Sequence, residues 1–94
     1  MSAKVVIVDD HSMVREGLKQ LLELEGEVQV IGEAGDGIEC LKLLETTVPQ
    51  VLLLDINMPN MNGLEVLERL KEDKVDVKII ILTVHDEIEF LLKA

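Results

Sequence analysis

Short apolar runs alternate with stretches of helical periodicity along this chain. Four runs have the length and composition of β-strands, at residues 5–8, 28–31, 51–54 and 79–82. Continuous runs of Val, Ile and Leu are typical of strands that are buried on both faces. The second run is interrupted by Gln29 and is the weakest of the four, as expected of a strand at the edge of a sheet.

Between these runs, apolar residues recur at the spacing of an amphipathic helix. The expected helical stripes are Val14, Leu18, Leu21 and Leu22; Ile38, Leu41 and Leu44; Leu64, Leu67 and Leu70; and Ile88, Leu91 and Leu92. Gly26 is expected to end the first helix. Asp36, Asn62 and Asp86 each precede a Glu by three residues. This is the spacing of a capping box, and it predicts the starts of the second, third and fourth helices.

Strands and helices therefore alternate along the whole sequence. Such alternation predicts an α/β fold: a doubly wound parallel sheet with right-handed crossovers and helices on both faces. No repeat, linker or low-complexity segment divides the chain, so we expect one domain over residues 1–94.

The composition narrows the possible functions. The 94 residues include 19 Asp and Glu against 9 Lys and Arg, a net charge of -10, and one aromatic residue. An acidic surface repels phosphate backbones, and bases need aromatic side chains on which to stack, so we expect no direct nucleic-acid binding by this chain. No apolar run reaches the roughly 20 residues of a membrane span. The single Cys40 excludes a disulfide framework and favours the cytoplasm.

Acidic residues follow two of the predicted strands directly. Asp9 and Asp10 come after the first strand, Asp55 comes after the third, and Thr83 ends the fourth. Open parallel sheets bind ligands beyond the carboxyl ends of their strands. If the first and third strands are neighbours, three carboxylates crowd together, and Mg²⁺ is the natural cation to neutralise them. A single Asp at such a position more often ends a strand or caps a helix. The prediction of a Mg²⁺ site therefore depends on all three aspartates occurring together.

A carboxylate beside Mg²⁺ can attack a phosphoryl group and form an acyl phosphate. The chain lacks the residues of two other phosphate-binding sites. No Gly-x-Gly-x-x-Gly dinucleotide motif follows the first strand, and no P-loop Lys is present. A phosphatase with an aspartate nucleophile would need an acid two residues after Asp55, where this chain has Asn57. The pattern favours a phospho-aspartate that turns over slowly, as a switch requires.

Three motifs in order resemble the receiver domain of bacterial two-component response regulators. They are VDDH at residues 8–11, LDINMPNMNG at 54–63 and ILT at 81–83. The Asp-Asp-His start and residues 82–86 are similar to the NarL/LuxR-like branch, whose members carry a C-terminal helix-turn-helix output domain. The resemblance implies a flavodoxin-like receiver fold and a switch that takes phosphate from a sensor histidine kinase. It also implies a parent protein that is a DNA-binding transcription regulator, and an acceptor domain rather than a turnover enzyme.

The resemblance further implies roles for individual residues. The implied Mg²⁺ site consists of Asp10 and Asp55 as direct ligands, the backbone carbonyl of Asn57, and Asp9 through a bound water. Asp55 would also be the phosphoacceptor, and Thr83 would turn toward the phosphoryl group and report its arrival. His11, directly after the acidic pair, is expected to begin the first helix and face solvent.

The sequence departs from the family pattern after the fourth strand. Receivers continue through a fifth strand, which ends in a Lys that pairs with the phosphoryl group, and a fifth helix. Both are missing here, so we expect a domain that is incomplete at its C-terminus. Residues 79–82 would then form an exposed apolar edge, and we expect a homodimer or a domain swap through it. The alternative function is a receiver-fold interaction or dimerisation module that is not phosphorylated.

Overall fold

The computed structural model describes residues 2–24, 26–56, 58 and 61–82. In chain order the elements are β1 (Ala3–Val8), α1 (Ser12–Glu23), β2 (Val28–Ala34), α2 (Gly37–Leu44), β3 (Val51–Asp55), α3 (Gly63–Glu72) and β4 (Lys78–Leu82). The predicted alternation of strands and helices is confirmed up to β4. The fourth helix, predicted to begin at Asp86, lies outside the described residues.

The strands form one parallel sheet in the order β2-β1-β3-β4. Because β1 pairs with β2 on one side and with β3 on the other, the direction of winding reverses between β1 and β3. This is the topological switch point, where open α/β sheets bind their ligands. The predicted doubly wound fold is confirmed, with β1 and β3 as neighbours and β2 at an edge.

Alternate residues of the central strands build two apolar layers. Val6, Val8, Leu52 and Leu54 pack against α2 and α3 on one face. Val5, Ile7 and Leu53 pack against Leu18 and Leu22 of α1 on the other. The central strands are therefore apolar throughout because helices cover the sheet on both sides. No helix in the described ranges is long and apolar enough to cross a bilayer.

The buried side of α3 differs from the predicted one. Leu64 was expected in the core but is 56% exposed, whereas Val66 and Leu70 are buried. A Cβ atom at Gly63 would lie 2.6 Å from the backbone oxygen of Asp55, so a side chain here would push the helix away from the end of β3. This close approach sets the rotation of the helix, and the positions three and seven residues after Gly63 face the sheet.

The other two helices show related differences. In α2, Gly37 and Cys40 are buried, while Ile38 is 47% exposed although it was expected to face the core. In α1, Leu22 packs on the sheet as predicted, but Leu21 is 70% exposed. Leu21 points about 100° away from Leu22 around the helix axis, and here it lies on the side of α1 that faces away from the sheet.

Side-chain caps form at both predicted positions within the described part of the chain. Asn62 Oδ1 accepts from the backbone N–H of Glu65 at 3.0 Å, and Glu65 Oε1 accepts from the N–H of Asn62 at 3.3 Å. This is the predicted capping box of α3. In α2, Asp36 Oδ1 accepts from the N–H of Glu39 at 2.8 Å, and Glu39 Oε1 accepts from Gly35 N–H at 2.7 Å.

The C-terminus of α3 places a residue other than Gly in the left-handed region. Val75 N–H donates to the oxygen of Leu70 at 3.0 Å, and Lys74 N–H donates to that of Lys71 at 3.2 Å. These two bonds form a Schellman motif, and Lys74 occupies its left-handed position with a φ of 53°. Such a conformation costs an L-residue about 1–2 kcal/mol.

We predict that Lys74→Gly stabilises the domain by about 1 kcal/mol, because Gly adopts this conformation without the steric cost. Urea unfolding followed by circular dichroism measures the free energy of unfolding. Lys71→Gly, three residues earlier in the same helix, is the matched control and should destabilise by about 1 kcal/mol. A Lys74→Gly variant less stable than the wild type would contradict this prediction.

Candidate functional site

Asp9 and Asp55 lie side by side at the carboxyl ends of β1 and β3. The register pairs Val8 with Leu54, so the next residue on each strand is an aspartate. Asp9 is 0% exposed and Asp55 is 1% exposed. Asp10 follows in the turn to α1. The predicted site depends on Asp9 and Asp10 lying next to Asp55, and the structure places them there.

The acidic groups form a cluster that suits a divalent cation. One ligand atom from each of Asp9, Asp10, His11 and Asp55 lies within 4.8 Å of the others. Oδ2 of Asp9 is buried and meets no hydrogen-bond donor among the described residues. A buried carboxylate oxygen without a partner is costly. Carboxylates at this spacing fit Mg²⁺, which takes one or two of them and keeps several waters.

Hydrogen bonds fix the turn that follows β1. Asp9 N–H donates to the oxygen of Ala34 on β2 at 3.1 Å. The backbone N–H of His11 donates to Asp9 Oδ1 at 2.8 Å. From α1, Arg15 Nη1 donates to the backbone oxygen of Asp9, while Arg15 Nε donates to Glu33 Oε1 at 3.2 Å. The turn is thus held by β2, by α1 and by its own side chain.

Two close backbone contacts fix the segment that follows β3. Gly63 N–H donates to the oxygen of Ile56 at 3.0 Å, and Gly37 N–H donates to that of Met61 at 3.1 Å. A Cβ atom at Gly37 would lie 2.7 Å from a side-chain carbon of Met61. Gly63 was predicted to belong to a tight loop. The contact at Gly37 has no local sequence signal, because it joins α2 to a segment of the chain more than twenty residues away.

His11 is the N-cap of α1 and its side chain is exposed, as predicted. Its side chain is 47% exposed, yet Nδ1 lies 3.0 Å from Asp9 Oδ1 and 2.9 Å from Asp10 Oδ1. The side-chain hydrogen bond to Asp9, followed by the negative charge of Asp10, raises the pKa of His11 above 6.5 against an opposing effect of desolvation. The available signal was its position directly after two aspartates.

The structure brings together three of the predicted site residues, Asp9, Asp10 and Asp55. The other two, Asn57 and Thr83, lie outside the described residues. The roles of all five as ligands, phosphoacceptor and switch stay predictions. Arg15 and Glu33 were not singled out from the sequence, because their link to the site depends on α1 and β2 meeting in three dimensions.

The fold and the site define an α/β domain with an acidic, cation-accepting site at its topological switch point. The chain belongs to the response regulator receiver domain family, whose model matches residues 5–94. This confirms the resemblance seen in the three sequence motifs. Response regulators are signalling proteins of two-component systems, and the chain is a receiver domain of this kind.

Individual relatives agree with this assignment. The chain is 39% identical over 92 residues to the nitrate/nitrite response regulator protein NarL of Escherichia coli (strain K12), covering 98% of this chain and 43% of that protein. It is 42% identical over 84 residues to the transcriptional regulatory protein DegU of Brevibacillus brevis, covering 89% of this chain and 36% of that protein. The chain therefore spans less than half the length of these curated relatives.

The fold is also similar to that of solved response regulators. A DNA-binding response regulator of the LuxR family from Staphylococcus aureus matches with a TM-score of 0.82 at 34% identity. The match covers 98% of this chain and 77% of that one. The described residues therefore have the fold of a solved response regulator.

We predict that His11 titrates above pH 6.5 in the metal-free protein, because its protonated ring is bonded to Asp9 and attracted by Asp10. Since the folded pKa is the higher one, this contribution to stability is fully present below pH 6.5 and is lost as the pH rises through the folded pKa. NMR titration of the ring protons in EDTA measures the shift, and His11→Gln assigns the resonance.

Asp9→Asn should lower the pKa of His11 most, and Asp10→Asn should lower it less. Glu16→Gln, an exposed residue on α1, is the control and should leave it unchanged. A His11 that titrates at 6.5 or below in the wild type would be inconsistent with the described contacts.

Proposed function

We propose that this domain is a phosphoryl-accepting switch that takes phosphate from a sensor histidine kinase onto Asp55, with Mg²⁺ bound by the neighbouring carboxylates. The observation that supports the proposal is the cluster at the ends of β1 and β3. Three carboxylates meet there, and the buried Oδ2 of Asp9 has no donor among the described residues. Membership of the receiver family makes phosphoryl transfer the natural use of such a cluster.

Asp55 is the nucleophile in this proposal. One of its carboxylate oxygens attacks the phosphorus of a phosphohistidine, the new O–P bond forms as the P–N bond breaks, and the leaving imidazole takes a proton from solvent. Burial at the end of β3 fixes the attacking carboxylate. Asn57 stands where a phosphatase would need an acid, so the acyl phosphate persists and the domain is not a turnover enzyme.

The ligand roles follow the family pattern. Asp10 and Asp55 would hold Mg²⁺ directly, together with the backbone carbonyl of Asn57, and Asp9 would hold it through water. The bound ion supplies positive charge that offsets the carboxylates and the phosphoryl oxygens. The Thr83 hydroxyl would donate a hydrogen bond to the phosphoryl group, a stronger acceptor than a carboxyl oxygen.

In this proposal, residues 1–94 are a receiver domain within a longer transcription regulator. The curated relatives support this, since they are described as response and transcriptional regulators and are more than twice as long. The net charge of -10 indicates that DNA contacts would be made elsewhere in such a protein. A buried free thiol at Cys40 suits the reducing cytoplasm.

We also propose that copies of this chain associate through β4. Among the described residues β4 pairs only with β3, and Ile80 and Ile81 are 46% and 38% exposed. An apolar strand at a sheet edge is a template for another strand, which would give a homodimer or a domain swap.

Incubation with acetyl phosphate and Mg²⁺ should add one phosphoryl group to the protein, observed by intact mass spectrometry. Asp55→Asn should add none, because it keeps the shape but removes the nucleophile. Asp10→Ala should slow the addition by about tenfold or more, because a direct metal ligand is lost. Asp73→Asn, an exposed residue at the end of α3, is the matched control and should behave as the wild type does.

Two outcomes would contradict the proposal. A phosphoryl group retained in Asp55→Asn would place the acceptor elsewhere. A wild-type protein with no mass increment and no NMR shifts on adding beryllofluoride with Mg²⁺ would favour the alternative, an interaction module that is not phosphorylated.

Association through β4 is tested by light scattering at micromolar concentration. The wild type should show a mass above that of a monomer, and Ile80→Lys should be monomeric because a charged residue opposes strand pairing at an edge. Val48→Lys, at another exposed apolar residue outside β4, is the control and should associate like the wild type. A monomeric wild type would refute this part of the proposal.

A further inference from the structure

Arg15 lies on α1 and contacts the acidic site without pairing with its carboxylates. Its side chain is 20% exposed, and its Nη1 donates to the backbone oxygen of Asp9. Its Nε donates to Glu33 Oε1 on β2 at 3.2 Å. One guanidinium therefore joins three parts of the fold: the end of β1, the first turns of α1, and β2.

The bond from Arg15 to the Asp9 carbonyl takes the place of a strand-to-strand hydrogen bond beyond the end of β2. The N–H of Asp9 donates to Ala34, the last residue of β2. In a strand the N–H and C=O of one residue point to the same side, so the Asp9 carbonyl also points toward β2, beyond its end. Arg15 supplies the donor that a longer β2 would have supplied.

The acceptor of this bond has a particular position in the chain. The carbonyl of Asp9 belongs to the peptide that links Asp9 to Asp10. Because a peptide unit is planar and rigid, fixing this oxygen fixes the direction in which both residues leave it. The opposite side of the turn is held by His11 N–H on Asp9 Oδ1 at 2.8 Å. The first bond fixes the peptide from which both residues extend, and the second fixes the Asp9 carboxylate.

Glu33 explains why the guanidinium does not bind the site carboxylates. Arginine forms its best ion pairs with carboxylates, and several lie near Arg15. Among the described residues its ion pair is with Glu33 on β2. That pair holds the guanidinium with its Nη1 on a backbone oxygen and away from the carboxylates of Asp9 and Asp10, whose Oδ1 atoms contact His11.

We propose that Arg15 and Glu33 are a positioning pair for the metal site: Arg15 orients the Asp9–Asp10 peptide, and Glu33 keeps the guanidinium from competing with the cation. This inference rests on the proposed function, since it assigns the pair to the Mg²⁺ site of that proposal. It concerns two residues that do not themselves bind the ion.

The sign of one measurement separates positioning from simple charge. Removing a positive charge near a cation site should tighten Mg²⁺ binding if Arg15 acts only through its charge. If Arg15 orients the ligands, Arg15→Gln should instead weaken Mg²⁺ binding by roughly tenfold, as loss of an outer-shell partner does. Arg15→Lys keeps the charge but cannot make both bonds, so it should also weaken binding.

The dissociation constant is measured on the 94-residue chain by following amide NMR shifts with MgCl₂ at constant ionic strength. Lys19→Gln removes a positive charge from the same helix and is the matched control, with an expected change of less than about twofold. Thermal unfolding in EDTA for each variant identifies a loss that comes from unfolding alone.

Glu33→Gln tests the second half of the pair. It should weaken Mg²⁺ binding, because the guanidinium loses its ion pair with Glu33 and can then pair with the site carboxylates. Adding Arg15→Gln should not weaken binding further, because the guanidinium has then already left the Asp9 oxygen and no longer orients the peptide. The corresponding control is Glu27→Gln, which removes an acidic residue just before β2.

Each result bears on one claim. Unchanged or tighter Mg²⁺ binding in folded Arg15→Gln would overturn the positioning role. Losses in Arg15→Gln and Glu33→Gln that add in the double variant would overturn the pairing. A wild type that shows no saturable Mg²⁺ shift, or an Asp10→Ala variant that binds as well as the wild type, would instead overturn the proposed function.

Discussion

The burial of β1 against β3 forces two carboxylates together. Residues 5–8 and 52–54 are all buried, and burying each such side chain contributes about 1.5–3 kcal/mol. Two like charges about 5 Å apart repel each other by about 3 kcal/mol at an effective dielectric constant of about 20. Packing of the strands therefore outweighs the repulsion several times over, and the sheet forms with Asp9 beside Asp55. The acidic site is a consequence of the core.

Once formed, the cluster cannot relax by moving apart. Asp9 is held to β2 through its N–H and to α1 through its carbonyl, and its Oδ1 accepts from His11. Oδ2 of Asp9 accepts no hydrogen bond from the described residues. Only a donor or a cation from outside these residues can stabilise it. Because the carboxylates cannot separate, a bound cation would relieve their repulsion.

The sequence predicted the architecture well because the decisive signals are local or periodic. Apolar runs located the strands, and the pairs Asp36 with Glu39 and Asn62 with Glu65 located two helix starts. The alternation of elements was enough to imply a parallel sheet. The placement of Asp9 beside Asp55 was predicted on the condition that the first and third strands are neighbours, and the strand order meets this condition.

The features that could not be predicted from the sequence depend on close contacts between distant segments. The rotation of α3 is set by the approach of Gly63 to the end of β3, so Val66 lies in the core where Leu64 was expected. His11 turned toward Asp9 because the turn curls back on itself. The partnership of Arg15 with Glu33 requires α1 to lie over β2. No periodicity in the chain encodes these three facts.

The departures from local rules are not spread evenly over the molecule. At the carboxyl ends of the strands lie Oδ2 of Asp9, which is buried without a donor from the described residues, and the start of α3, where a Cβ atom at Gly63 would clash with β3. At the opposite end, the departure among the described residues is the left-handed backbone of Lys74, which lies away from the cluster of Asp9, Asp10 and Asp55. An isolated departure only lowers stability, whereas several converging on one edge indicate stability given up for function. These departures converge on the carboxyl edge of the sheet, which is the edge where the proposed phosphoryl-accepting site lies.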